Sequence, residues 1–183
     1  MIYIVDKVTP TNVIAHVGIG LQKGTTTGGV AVDGVLNLRS GEVSLFASPT
    51  VGQSAGRTAT LDIGAGLGWN MKKNADYRGS FKAVGVQANI PLPSGTTLPL
   101  NASYFESTPS NPNGGSGFIL GVTSGDTTGA VYGSYSDSVE VLNSASGMTI
   151  EGNNLATTFN NNAINAFFGD VVDFMFGAPN PAH

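Results

Sequence analysis

Two histidines, His16 and His183, are the only imidazoles in this chain, and they stand far apart in sequence. A hydrolytic histidine needs a nucleophile on one side and an orienting partner on the other. With no cysteine there is no thiolate to serve as nucleophile, no disulfide framework, and no thiolate-based zinc or iron–sulfur site. Asp33, Glu42, Asp62 and Glu106 are the carboxylates suited to paired acid–base work, but no spacing in sequence joins any two of them.

Asp62 stands out because it alternates with Gly64, Gly66 and Gly68 and so shares their face of a strand. A carboxylate there loses water, which suits it either to a ligand or to a structural hydrogen bond. The run Asn74-Ala75-Asp76-Tyr77-Arg78-Gly79 supplies an aromatic ring and a guanidinium in a loop, a composition shared by binding loops and ordinary turns. His16, Asp62, Trp69, Tyr77 and Arg78 are therefore the candidate ligand-binding residues; no catalytic residue, metal site or cofactor is assigned. Gly64-Ala65-Gly66-Leu67-Gly68 is no phosphate loop, because such a loop must open a helix and here the alternation continues to Trp69.

The elements that must position these groups are strands. Val13, Ala15, Val17, Ile19 and Leu21 alternate with Ile14, His16, Gly18, Gly20 and Gln22, and Leu61, Ile63, Ala65, Leu67 and Trp69 alternate with Asp62 and the three glycines. Lys23 to Gly29 reads as a loop. Val30–Leu38 and Glu42–Ser48 read as a hairpin across Arg39-Ser40-Gly41, ended by Pro49. Further strands are expected over 77–90 and 98–105, then a hairpin of 118–123 with 129–136 over Ser124-Gly125-Asp126, with weaker strand patterns at 139–142 and 148–150. Glycine costs a strand roughly 0.5–1 kcal/mol relative to alanine. Its repetition on one face calls for a strongly curved sheet whose interior must hold something bulky.

The period changes near the C-terminus. Leu155, Phe159, Ala163, Phe167 and Val171 recur every four residues, flanked by Ile164, Phe168, Val172 and Met175, with Asn153 or Asn154 as N-cap and Gly177 and Pro179 as the stop. The fold class expected is mainly β: one domain over 1–183, an antiparallel β-barrel or barrel-like sheet of eight or nine strands over 1–152, and a C-terminal amphipathic helix over 153–178. The helix is expected to bury its aromatic face in or on the sheet.

Only 11% of the residues are charged, against about a quarter in ordinary soluble domains, and the net charge is -4. Eight scattered basic residues offer no phosphate-binding footprint, so nucleic acid is not an expected partner. The apolar patch at Ile2–Val5 is too short for a signal-peptide core and is cut by Asp6 and Lys7. An exported chain of this kind would travel by another route or within a larger polypeptide.

The segments VLNLRSGEVSLFASP (Val35 to Pro49) and GAGLGWN (Gly64 to Asn70) resemble glycine-alternating β modules near the C-termini of RHS-repeat and other polymorphic-toxin-type secreted proteins. That resemblance, covering about half of the chain, implies delivery within a secreted effector system and carries over no catalytic residue. The expected function is a non-enzymatic, secreted or membrane-acting barrel, of pore-forming or effector type, with membrane lipid as partner. The alternative is a soluble barrel that binds a small apolar ligand or self-assembles as a homo-oligomer.

Overall fold

The computed structural model describes residues 9–56, 61–124 and 129–144. The chain divides into two units, 1–149 and 150–183, and every described residue belongs to the first. Eight antiparallel strands form it: β1 (Asn12–Lys23), β2 (Thr26–Asn37), β3 (Val43–Ala55), β4 (Leu61–Trp69), β5 (Gly79–Pro91), β6 (Thr97–Ser107), β7 (Ser116–Ser124) and β8 (Ala130–Asn143). They close into a barrel in the order β1-β2-β3-β8-β5-β6-β7-β4. The expected antiparallel barrel is thus present. The expected helix over 153–178 lies outside the described residues, as does the strand pattern at 148–150.

The ring is not a meander. Starting from β4, it reads β4-β1-β2-β3 and then β8-β5-β6-β7. Each half is a Greek key, three hairpin-connected strands with the fourth returning beside the first. The expected hairpin of 118–123 with 129–136 is therefore wrong: β7 pairs with β4 and β6, and β8 with β3 and β5. Two other boundaries also shift. The expected loop over 23–29 is a tight turn at Gly24-Thr25, with Lys23 paired to Thr26 and β2 running on through Gly28-Gly29. Pro49 does not end β3; it faces Val30 of β2, and its missing N–H falls where the paired positions with β8 pass from Ala47 to Thr50.

One end of the barrel is closed by apolar packing. Ile14, Val35, Phe46, Met71, Tyr77, Phe81, Phe105 and Ile119 form a single buried cluster. Tyr77 belongs to a 3₁₀ turn, Asn74–Tyr77, and its ring centroid lies 5.0 Å from Phe46, 5.3 Å from Phe81 and 5.9 Å from Phe105. These spacings are those of favourable aromatic pairs. Asn74 pins the turn: its Nδ2 donates to the carbonyls of Val35 (3.1 Å) and Glu42 (3.0 Å), and its Oδ1 accepts from Asn12 Nδ2 at 3.3 Å.

The glycines face inward, as their alternation implies, and the space they leave is used by side chains of the barrel itself. A Cβ on Gly66 would fall 2.8 Å from Ile119 Cγ1, and one on Gly68 would overlap Met71. On the other half of the ring, Gly117 accommodates the Phe105 ring and Gly85 that of Tyr132. An eight-stranded barrel is only just wide enough for its own side chains, so each large inward group requires a small neighbour.

Candidate functional site

Above the apolar floor the lumen is polar. Antiparallel register places His16 opposite Asp33 across β1 and β2, and Gly18 opposite Asp62 across β1 and β4. All are inward positions, so two carboxylates from different strands converge on one imidazole. His16 Nδ1 lies 2.6 Å from Asp33 Oδ1, and His16 Nε2 lies 3.7 Å from Asp62 Oδ2. Asp33 Oδ2 accepts from Ser48 Oγ at 3.1 Å, and Ser48 Oγ lies 2.8 Å from Ser138 Oγ. On the opposite wall Asn101 Nδ2 donates to Asp62 Oδ2, while Asn101 Oδ1 accepts from the Tyr132 hydroxyl at 2.9 Å.

The result is a polar belt, Ser138-Ser48-Asp33-His16-Asp62-Asn101-Tyr132, that leaves β8 and returns to it around the lumen. Glycines make it possible. A Cβ on Gly18 would stand 3.0 Å from His16 Nε2, and one on Gly121 would stand 3.0 Å from Asp62 Oδ1. Carboxylates and an imidazole drawn this far from water require such partners to offset the desolvation.

The candidate residues separate. His16 and Asp62 meet in the belt, and Tyr77 forms part of the floor of the same cavity. Burial, followed by the charge of Asp33, pushes the Tyr77 phenol well above its ordinary range, so it stays protonated as a hydrogen-bonding group. Trp69 does not join them. It ends β4 on the face of the exposed Leu67, beside Ser116 of β7. Arg78 is committed elsewhere: its Nε donates to Glu140 Oε2 at 2.9 Å, balancing a carboxylate that is almost fully buried.

Sequence reasoning missed Asn101, Tyr132, Ser48 and Ser138. A signal existed for β8, where Tyr132, Ser134, Ser136 and Ser138 alternate in a strand and mark a polar face. His16 faces a carboxylate on each ring nitrogen, so the site has the orienting half of a hydrolytic triad and places Asp62 where a nucleophile would stand.

The outer wall is the reverse of the lumen. Every strand presents an exposed large apolar or aromatic side chain: Val17, Val32, Val51, Ile63, Val84, Tyr104, Leu120 and Val131 are one from each, with Val51 59% and Val131 57% exposed. Lys82 and Glu106 break this surface as a 2.7 Å pair on neighbouring strands. They lie on a registered row, Tyr135-Lys82-Glu106-Ser116-Trp69, near the closed end; the next row carries Tyr104 and Phe118. Comparison with protein-family models, curated proteins and solved structures finds no match to this chain.

Proposed function

We propose that this protein is a non-enzymatic, membrane-acting barrel, one that inserts in a bilayer as a closed unit and meets the acyl chains with its outer wall. The observation that carries this reading is the inversion of polarity: large apolar side chains are turned outward on all eight strands while the imidazole–carboxylate belt is turned inward, with the Lys82–Glu106 pair and Asp137 the outward charges near the closed end. Polar-in and apolar-out alternation is the signature of a transmembrane β-barrel. A single protein partner covers one side of a cylinder. Lipid surrounds it.

The dimensions agree. Among the described residues the shortest strands, β4 and β7, have nine residues each. At about 3.3 Å per residue and a tilt of roughly 40°, nine residues rise about 23 Å, close to the ~25 Å apolar band of such barrels. Trp69, Tyr104, Phe118 and Tyr135 cluster at one end, the place where aromatic side chains sit at a membrane–water interface. The low overall charge agrees with the same arrangement, in which Lys82 and Glu106 neutralise each other near one end of the wall.

The apolar cluster at the closed end blocks the lumen, so the reading is an embedded barrel that does not conduct. The amphipathic stripe over 155–176, in sequence beyond the described residues, would add a second lipid-seeking element. The resemblance to toxin-type modules supports a secreted protein, delivered as part of an effector.

Trp69 is the only tryptophan and stands on the wall, so it reports directly. On mixing with phosphatidylcholine–phosphatidylglycerol vesicles, its emission should shift to the blue and be quenched by lipids brominated near the headgroup. The vesicles should retain an encapsulated dye. An unshifted spectrum with the protein left in the supernatant would sink the reading, and a defined water-soluble oligomer there would point instead to self-assembly through the wall.

A further inference from the structure

Inside the barrel, a cavity of about 200 Å³ extends from the floor at Tyr77, Phe81 and Phe105 past the belt to Thr27, Thr50 and Gln87. At about 30 Å³ per water this is the room of six or seven waters, enough for a small organic molecule. The charged groups that line it are His16, Asp33 and Asp62; no lysine or arginine is among the lining residues. With His16 neutral the lumen carries two negative charges, and with His16 protonated it still carries one. The net charge of the lumen disfavours an anion there.

The two carboxylates differ in what they leave open. Asp33 has only 4% of its side chain exposed, and both of its oxygens are engaged, by His16 and by Ser48. Asp62 keeps 17% and His16 keeps 16%, so solvent reaches the belt at their junction. Asp62 holds Asn101 with Oδ2, whereas its Oδ1 is buried without a hydrogen-bond partner, as is Thr123 Oγ1 on the residue paired with it across β4 and β7. An unmatched carboxylate oxygen is costly to bury. The terminal torsion of an aspartate is broad and two-fold, so the carboxylate can re-orient when a cation reaches its exposed edge.

We infer that the lumen binds a small organic monocation, its primary ammonium group held by Asp62 between His16 and Asn101. The ring of Tyr132, which lines the same cavity and bonds to Asn101, offers a π-face to the charge. The floor and the glycine-lined wall suit a short alkyl body. Chelation of a divalent metal is not the chemistry indicated, because the His, Asp and Glu residues described form no metal-holding group of three or more. This inference concerns the lumen and stands independently of what covers the outer wall.

The probe is n-butylammonium, compared with 1-butanol and butyrate at constant ionic strength, on the full chain in zwitterionic micelles. Binding is read from the amide resonances of Ser134 and Ser136 and the side-chain amide of Asn101. Butylammonium should move these resonances in a saturable way, and neither butanol nor butyrate should. Asp62→Asn should weaken binding about tenfold or more, the loss of one charge-assisted contact. Asp137→Asn, at an exposed position on β8, should leave it unchanged. Ser103→Asp, which adds a carboxylate to the cavity lining and leaves the Asn101–Asp62 bond in place, should tighten binding, a change in the direction that misfolding cannot imitate.

Equal response to butanol, no response to millimolar butylammonium, or a folded Asp62→Asn protein of undiminished affinity would each overturn the inference. If Asp62→Asn does not fold, unaltered or weaker binding by Ser103→Asp overturns it.

Discussion

Replacing Gly66 by alanine sets two known effects against each other, and the structure says which wins. Alanine gains roughly 0.5–1 kcal/mol over glycine in a strand through the reduced freedom of the unfolded chain. Against that gain, the new Cβ at position 66 would overlap the Phe118 carbonyl oxygen and stand 2.8 Å from Ile119 Cγ1 and 3.1 Å from Ile119 Cα. Two of these three atoms are backbone, so no rotamer change relieves the contact. The β4–β7 ladder would have to open, and in a closed barrel a displaced strand displaces its neighbours in turn.

Overpacking of this kind costs about 1–3 kcal/mol. The net effect of Gly66→Ala should be a loss of about 1–2 kcal/mol, and more for Gly66→Val despite the greater strand preference of valine. Gly133 is the control. It lies on the exposed face of β8, where a Cβ would meet nothing nearer than the Ala83 carbonyl oxygen at 3.8 Å. Gly133→Ala should stabilise by up to about 1 kcal/mol. Urea unfolding followed by Trp69 emission gives both midpoints under one set of conditions. Opposite signs are expected, and a stabilised Gly66→Ala protein would refute the placement of the glycine face on the crowded side of the wall.

Three further changes test other parts of the molecule. Asn74→Ala removes the side-chain partner of Asn12 Nδ2 and of the Val35 carbonyl, and one of two donors to the Glu42 carbonyl, which keeps the Asn37 N–H at 2.9 Å; it should cost about 2–3 kcal/mol in thermal or urea unfolding, given ~1–3 kcal/mol for a buried polar group left unmatched. Arg78→Met strands the buried Glu140 carboxylate, but Arg78 itself is 47% exposed, so the loss should be about 1–2 kcal/mol rather than the 3–5 kcal/mol of a fully buried pair. That loss should shrink when Glu140→Gln is combined with it, the coupling expected of a direct pair. Ile63→Lys, on an outer position that is 50% exposed, should change stability by less than about 0.5 kcal/mol in water, yet cost roughly 2–4 kcal/mol in vesicles if that position lies near the bilayer midplane; equal effects in the two media would count against a lipid-facing wall.

Much of the wall was legible because period-two alternation needs no tertiary information. The two faces of β1 and of β4 are those their sequences define, and the same holds for Phe81, Ala83 and Gly85 against Val84 and Val86 on β5. The errors arise where local chemistry is overruled by pairing. Thr27-Gly28-Gly29 has loop composition, but it continues β2 because Gly20 and Leu21 pair with Gly29 and Gly28. Pro49 is tolerated inside β3 by a gap in one ladder. Gly125-Asp126 has hairpin-turn composition, yet the strands on either side of it do not pair, since Greek-key order is a property of the whole ring. The meeting of His16 with Asp33 was one step from legible: a tight turn at Gly24-Thr25 fixes that register, and reading those residues as a long loop hid it. The approach of Asp62 was not legible at all, because it depends on β4 returning to the far side of β1.

Alternation distinguishes two faces but does not say which is inside, and that choice is a matter of volume. On the concave side of an eight-stranded barrel, facing residues converge; on the convex side they diverge. Were the aliphatic face of β4 turned inward, Ile63, Leu67 and Trp69 would have to share space with the equivalent residues of seven other strands. With the glycine face inward, the space admits one Ile119, one Met71 and the imidazole–carboxylate belt. With the floor already filled by large side chains, the remaining lumen admits only the small face of β4. In water such a wall would be an aggregation hazard, which soluble barrels avoid with polar outer positions. Here the large exposed side chains on the wall are aliphatic or aromatic on every strand, and the Lys82–Glu106 pair stays near one end. Glycine-rich interior, polar belt, low charge and apolar exterior are then consequences of one arrangement, and it is this combination that the proposed lipid-facing wall accounts for.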